Sequence, residues 1–497
     1  MLTKNKIVSL LFGCGSLLAA SCTKKLNTNV DDPNGKSSVV LTGKDFFAGA
    51  LVEDVNNIEG VNLYNFADNY DYANQWMQYW ARNNGWASSG AQQLVEDFSP
   101  NNNFSNGVWG SLYHNIYDFN FVIANSTKGS VLPGASRVMR VTLFQDLVDQ
   151  FGNIPYSQAE QPALTLTPAY DDAATIYKDL ILQLDTALTE LDASQSTADD
   201  AADVMFGGSK TLWEQFANTV KLRVLLRQVP NGDQTYVASE IAKIVQQGSG
   251  FLTVDALVQP GFNSLPTKQN PFYNDYGPGS QNYNSFCANQ VMINFLDSIN
   301  DPRVSYYYAP SPAGPIGGEP LGNNTFNLAS NTSPLGPSLL KSPSQPGIIM
   351  LAAQSLFMQA EAVQRGLMTG DAAALYQQGV EASFNFLGVT NAVSAADSYM
   401  SGSTNGLVNF TSSTNKLQSI FYQKWIAECA IDGLEAYCDY RRTGYPFIAT
   451  PSQGAPGTPI PQRLLYPETE YTQNTTNVDT QNQTLADLYT PIFWAKP

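Results

Sequence analysis

Apolar residues recur along most of this chain at intervals of three and four, the period that gathers side chains on one face of an α-helix. The spacing predicts a helix around Trp109 to Asn120, with Trp109, Leu112, Tyr113, Ile116, Tyr117 and Asn120 on one face. A second helix is predicted over 136–150, carrying Val138, Val141, Phe144 and Leu147, with Phe151 at its end and Gly152 placed to stop it in a left-handed conformation. A third, over 172–192, aligns Ile176, Leu180, Leu184, Leu188 and Leu191 in one stripe, and a partner follows at 211–228. The clearest pair comes later: 347–365, with Leu351, Ala352, Leu356, Ala360 and Val363 on one side and Gly366 after it, then 371–387. A last long helix over 415–432 leads into "GLEAYCDYRRTGYP". Two stretches break the pattern. Residues 310–347 hold eight prolines and six glycines, and 390–414 are rich in Ser, Asn, Thr and Gly, so both are expected to be irregular. Loops this long are usually functional or mobile.

The predicted fold is therefore mainly α. The pair at 347–387 sets small alanines among large apolar residues and has about the size of a tetratricopeptide unit of ~34 residues, which needs neighbours to bury its faces. The earlier helices supply them. No composition shift marks an interdomain linker, so residues 41–497 are read as one domain.

The N-terminus is different. Lys4 and Lys6 precede an apolar run from Ile7 to Ala20, and small residues Ala19, Ala20 and Ser21 precede Cys22, the layout of a removable export signal over 1–21. Either the segment is an ordinary export signal cut near Ser21 or a short N-terminal anchor, with Cys22 merely adjacent, or Cys22 becomes the first residue and its thiol carries a lipid. The polar, turn-rich stretch that follows, 22–40, reads as a tether. Past residue 20 no run approaches the roughly 20 apolar residues needed to span a bilayer.

Composition narrows the function. Of 497 residues 43% are hydrophobic, with 7 Trp, 25 Tyr and 25 Phe, enough for a large core. A formal charge of -17 argues against nucleic acid, since no block of Lys and Arg offsets it. Cys287, Cys429 and Cys438 lack metal-site spacing and read as small buried hydrophobes; on one helix Cys429 and Cys438 would lie ~13 Å apart, beyond the ~7 Å reach of a disulfide. The single histidine, His114, sits within a helix and reads as structural, and neither a two-His metal site nor serine–histidine hydrolysis is available. Phosphate-loop, GxGxxG and GxSxG signatures are absent. No catalytic residue, metal or cofactor is expected. A carboxylate pair of the glycosidase type needs only two Asp or Glu at the right separation, which the sequence does not display.

Aromatics carry the strongest functional signal. Trp76, Tyr79, Trp80 and Trp86 cluster in "QWMQYWARNNGW"; the first three fit a helix, and Trp86 follows Asn83-Asn84-Gly85 in a loop. Tyr273, Tyr276 and Tyr283 fall in "NPFYNDYGPGSQNYN". An aromatic in a polar loop suits stacking on a sugar ring or packing a peptide side chain, with Asn, Gln and Arg reading hydroxyls. The candidate ligand residues are Trp80, Arg82, Asn84, Trp86, Tyr273, Tyr276 and Tyr283. The competing reading is that these aromatics pin loops onto the core.

Taken in order, Cys22, "NTNVDDPN", "WGSLYHNIYDFNFVI", "LFQDLVDQFGNIPYSQA", "DPRVSYY", "QAEAVQRG", "WIAECAIDGLEAYCDYRRTGYP" and "RLLYPETEY" resemble the SusD/RagB family of Bacteroidota outer-membrane lipoproteins, most closely its SusD-like branch. The resemblance implies tetratricopeptide-like helix pairs with long irregular ligand-binding loops, lipidation at Cys22, and no catalysis. It implies a cell-surface lid over a SusC-like TonB-dependent transporter that captures oligosaccharides or, in the RagB-type case, peptides. Thr23-Lys24-Lys25 departs from the acidic residues that often accompany surface export in this group. The readings carried forward are a glycan-binding lid, a peptide-binding lid, and a surface glycosidase.

Overall fold

Amphipathic segments bury their stripes against the next segment along the chain, and the result is a stack of helix pairs. The computed structural model describes residues 41–496 apart from 60–69, 84, 160–164, 281–282, 284 and 326. The expectations for 1–21 and 22–40, Cys22 included, and for Asn84 lie outside the described residues.

Helix α1 (Gly43–Glu59) is followed by the short α2 (Asp71–Trp76), strand β1 (Trp80–Arg82) and α3 (Gly90–Glu96). The stack proper runs through α4 (Asn106–Asn125), α5 (Leu132–Phe151), α6 (Ala173–Asp192), α7 (Lys210–Arg227) and α8 (Gln234–Gln247), with the strand pair β2 (Ile154–Pro155) and β3 (Tyr170–Asp171) between α5 and α6. Each of these helices packs on its successor, and α1 closes onto α4. The starts are capped as their sequences demand: Asp172 accepts from the Thr175 N–H and Ser209 from the Leu212 N–H. All five residues of the α6 stripe are buried. On α4, Trp109, Leu112 and Ile116 are buried as expected, but Tyr117 faces solvent.

Beyond β4 (Ala256–Val258), α9 (Pro271–Tyr276), β5 (Phe286–Ala288), α10 (Gln290–Ser298) and α11 (Val304–Tyr307), the chain enters β6 (Gly347–Met350), which pairs antiparallel with β4. Then come α12 (Ala352–Gln364), α13 (Ala372–Phe386), α14 (Ala392–Gly402), α15 (Lys416–Ala427) and α16 (Gly433–Thr443). The α12–α13 pair is the close-packed unit its alanines predict, and α12 also packs on α7 and α15, joining the two halves of the stack.

Three expectations are corrected. Residues 347–350 are strand, not helix, because Ile348 and its neighbours find a partner in β4 about 90 positions away. Residues 392–402 are helical, because Ala392, Ala396 and Met400 at four-residue spacing bury one face in spite of the serines around them. Tyr79 and Trp80 do not continue α2. Gln78 takes a left-handed φ of 66°, held by its amide on the carbonyls of Trp76 and Pro451, and Trp80 then enters β1.

The three described cysteines are free and buried, the reading given to them, although Cys429 lies in the turn between α15 and α16 rather than on a helix with Cys438. "GLEAYCDYRRT" forms α16, and its charges are interior. Arg227 bonds Asp149 at 3.1 Å and also Glu435; Lys424 lies 2.5 Å from Glu435, 2.7 Å from Asp439 and 3.3 Å from Glu428; Arg442 reaches Glu361 at 2.5 Å.

Helix α16 touches α2 through Gly433. A Cβ there would sit 2.5 Å from the backbone nitrogen of Asn74 and 2.6 Å from its Oδ1, and a backbone atom cannot step aside. Gly433→Ala is expected to cost about 1–3 kcal/mol in urea unfolding, the range for overpacked interiors.

Candidate functional site

Strands β1 and β5 pair antiparallel, Trp80 opposite Ala288 and Arg82 opposite Phe286, and the ladder extends to a bond from Asn83 N–H to the Ser285 carbonyl at 2.8 Å. The loops holding Trp86 and Tyr283 therefore leave the same end of one ladder. Asn83 folds the first loop back: its Oδ1 accepts from Gly85 N–H at 3.1 Å and its carbonyl from Trp86 N–H at 2.9 Å. Trp86 is left half exposed, at 49%. Tyr283 is partly buried, its N–H bonded to the Ser280 hydroxyl.

A third loop, 323–331, joins this face. Asn83 Nδ2 donates to Thr332 Oγ1 at 2.9 Å, and a Cβ at Gly85 would lie 3.8 Å from that of Ala329. Buried Glu319 shapes the loop by accepting from the side-chain amides of Asn323 and Asn327; Asn331 in turn donates to Asn327 at 3.0 Å. The outcome is a hydrogen-bonded asparagine cluster beside the half-exposed Trp86. This loop was not among the candidate residues; its signal was the run "NNTFNLASN" within a long loop.

Arg82 lies beneath that face. Its guanidinium pairs with buried Glu96 at 2.8 Å and also donates to the carbonyls of Asn323, at 3.2 Å, and Trp86. It ties two loops to the body and so acts as a positioning residue. Trp80 and Tyr276 are buried, with ring centroids 5.2 Å apart. Both donate to Asp71 Oδ1 at 2.8 Å, while Gln75 donates to Oδ2. Burial pushes the Asp71 carboxyl up to about 6, even though these donors pull it down. Tyr273, on α9, is partly buried against the core. The structure thus separates the candidates: Trp86 half exposed, Tyr283 and Tyr273 partly buried, Arg82, Trp80 and Tyr276 inside.

His114 is exposed on α4 and bonds Glu53 of α1 at 2.7 Å, a contact that raises the imidazole pKa. Asp118 completes a trio whose ligand-type atoms lie within 4.8 Å of one another, the only such group among the described residues. No helix among the described residues is long and apolar enough to cross a membrane.

A SusD-like family model, described as starch-binding and associating with the outer membrane, matches residues 48–467. The chain belongs to the SusD-like family. Solved structures agree with this SusD-like fold. A chitin-binding SusD homologue from Flavobacterium johnsoniae superposes with a TM-score of 0.73 at 23% identity, covering 90% of this chain and 98% of the other. SusD homologues from Bacteroides fragilis and Bacteroides vulgatus give 0.73 at 21% identity and 0.74 at 20%, covering 92% and 91% of this chain and 99% and 98% of theirs. No curated protein matches the chain.

Proposed function

We propose that this SusD-like chain is a glycan-binding protein of the outer membrane, lipid-anchored at Cys22, that serves as the lid of a SusC-like TonB-dependent transporter in nutrient uptake. The carrying observation is the half-exposed Trp86, held by Arg82 and Asn83 beside the amide-rich 323–331 loop. An indole offers a flat apolar face to a sugar ring, and amide edges match its hydroxyls. The family description and the chitin-binding homologue support a glycan over a peptide. The mode is recognition rather than turnover. Anchoring beside a transporter raises local concentration, so each contact can be weak.

Titration of the purified protein with starch- and chitin-derived oligosaccharides tests the reading. Trp86→Ala is expected to weaken the best ligand at least about tenfold, roughly 1.4 kcal/mol, with an unchanged melting temperature. Equal affinity in the variant would remove this face from the ligand site.

A further inference from the structure

A cavity of about 280 Å³ behind Trp80 is walled by Glu59, Asp71 and Asp255, whose carboxylates already accept hydrogen bonds from Asn270, Tyr276 and the Ala352 N–H. A groove of about 650 Å³, within the roughly 300–1,000 Å³ typical of small-molecule sites, is furnished differently. It lies between the 101–103 turn, which precedes α4, and the C-terminal segment that carries α17 (Glu468–Gln473) and residues 483–485.

These segments are tied to one another. Asn102 Nδ2 donates to the Tyr466 carbonyl at 2.7 Å, the Glu468 N–H to the Asn102 carbonyl at 3.1 Å, and the Tyr466 N–H to Gln483 Oε1 at 2.6 Å. The walls of the groove are therefore held before any ligand arrives, which lowers the ordering cost of binding. Its lining offers donors and acceptors together. Asn101 uses its Oδ1 on the N–H groups of Asn103 and Phe104, and Asn103 uses its Oδ1 on Asn106, so each keeps its Nδ2 as a donor. Asn102 has committed only its Nδ2 and keeps Oδ1 as an acceptor, and Glu468 adds an exposed carboxylate. Tyr471 and the exposed Leu485 supply apolar surface, and no Lys or Arg is among the described lining residues. An anion would need donors or a base, and a cation acceptors alone; a hydroxyl both donates and accepts, and so matches this mixture.

We propose that this groove is a second saccharide site, taking a neutral oligosaccharide with its hydroxyls on Asn101, Asn102, Asn103 and Glu468 and a ring face against Tyr471 and Leu485. It shares no residue with the Trp86 face and stands on its own lining, so it holds whether or not Trp86 contacts a glycan.

Calorimetric titration of the full Trp86→Ala protein with maltotriose, chitotriose and trialanine isolates the groove. At least one of the two sugars is expected to bind, and trialanine to bind at least about tenfold more weakly. Adding Asn103→Leu and Leu485→Asp, both at exposed positions, removes a donor and an apolar contact; the pair is expected to weaken that sugar at least about tenfold without lowering the melting temperature. Should the pair lower it, Asn103→Leu decides alone. Absence of sugar binding to Trp86→Ala, sugar binding that survives the groove substitutions, or trialanine affinity equal to or above that of the sugar would overturn the proposal. The Trp86 reading is scored separately, by what Trp86→Ala does to the otherwise native protein.

Discussion

Replacing Lys424 by methionine is expected to lower the free energy of unfolding by about 3–5 kcal/mol, the usual cost of breaking a buried ion pair from one side. Lys424 is 1% exposed and is the shared cation of Glu428, Glu435 and Asp439. Burial alone would discharge its ammonium, but Asp439, Glu428 and Glu435 outweigh that and raise its pKa. Likewise burial would raise Glu435 and Asp439, yet the bases around them, Arg227, Lys424 and Arg442 among them, hold both carboxyls low. With Lys424 gone, Arg227 and Arg442 remain, each already committed to other carboxylates. Urea denaturation followed by tryptophan fluorescence measures the loss. A change under about 1 kcal/mol would mean that the remaining arginines absorb the freed charge, and the hub would then be redundant.

The second large effect is on pH dependence. Glu59 ends α1 in the wall of the cavity behind Trp80, and burial lifts its carboxyl from 4.5 to about 8 against the hydrogen bonds from Ile348 and Asn270 that lower it. Between those values the folded protein binds a proton that the unfolded chain does not. Stability must therefore fall as pH rises from about 4.5 to about 8, and return as pH is lowered. Asp71, raised from 3.8 to about 6, acts in the same direction over a narrower window. Glu435 and Asp439 act oppositely, since their depressed carboxyls lose stability only as the solution becomes strongly acidic. At 1.36 kcal/mol per unit, the Glu59 contribution is at most about 5 kcal/mol. Melting temperatures from pH 5 to 8.5 are expected to decline in the wild type and to decline less in Glu59→Gln. The net charge of -17 produces a decline of its own, so the difference between the two proteins is the measurement. Parallel profiles would rule out Glu59 as the titrating group.

Some of this architecture was legible in local pattern. The α6 stripe, the Asp172 and Asp371 caps, the stops at Gly152 and Gly366, and the alanine-lined α12–α13 pair depend on residues within a few turns of one another. Local spacing encodes such features directly. It failed where a distant partner made the decision: β6 exists because β4 is there, and Trp80 leaves the helix because β5 accepts it. At α14 the error ran the other way, since serine-rich composition masked a short apolar stripe.

The candidate site shows the same division. Loop aromatics were visible as residue types, and Trp86 does reach solvent. Their roles were not visible. Arg82, Trp80 and Tyr276 carry the same chemistry as ligand-binding residues, but Glu96 and Asp71, which hold them, are brought there by folding. By itself the sequence determined the helical class, several helix ends and the family, because these rest on local periodicity and ordered motifs. Only the tertiary structure decided which aromatics face water, which charges form the buried hub, and that an acidic cavity lies behind Trp80. Burial and pairing are properties of segments far apart in the chain, and no short-range pattern records them.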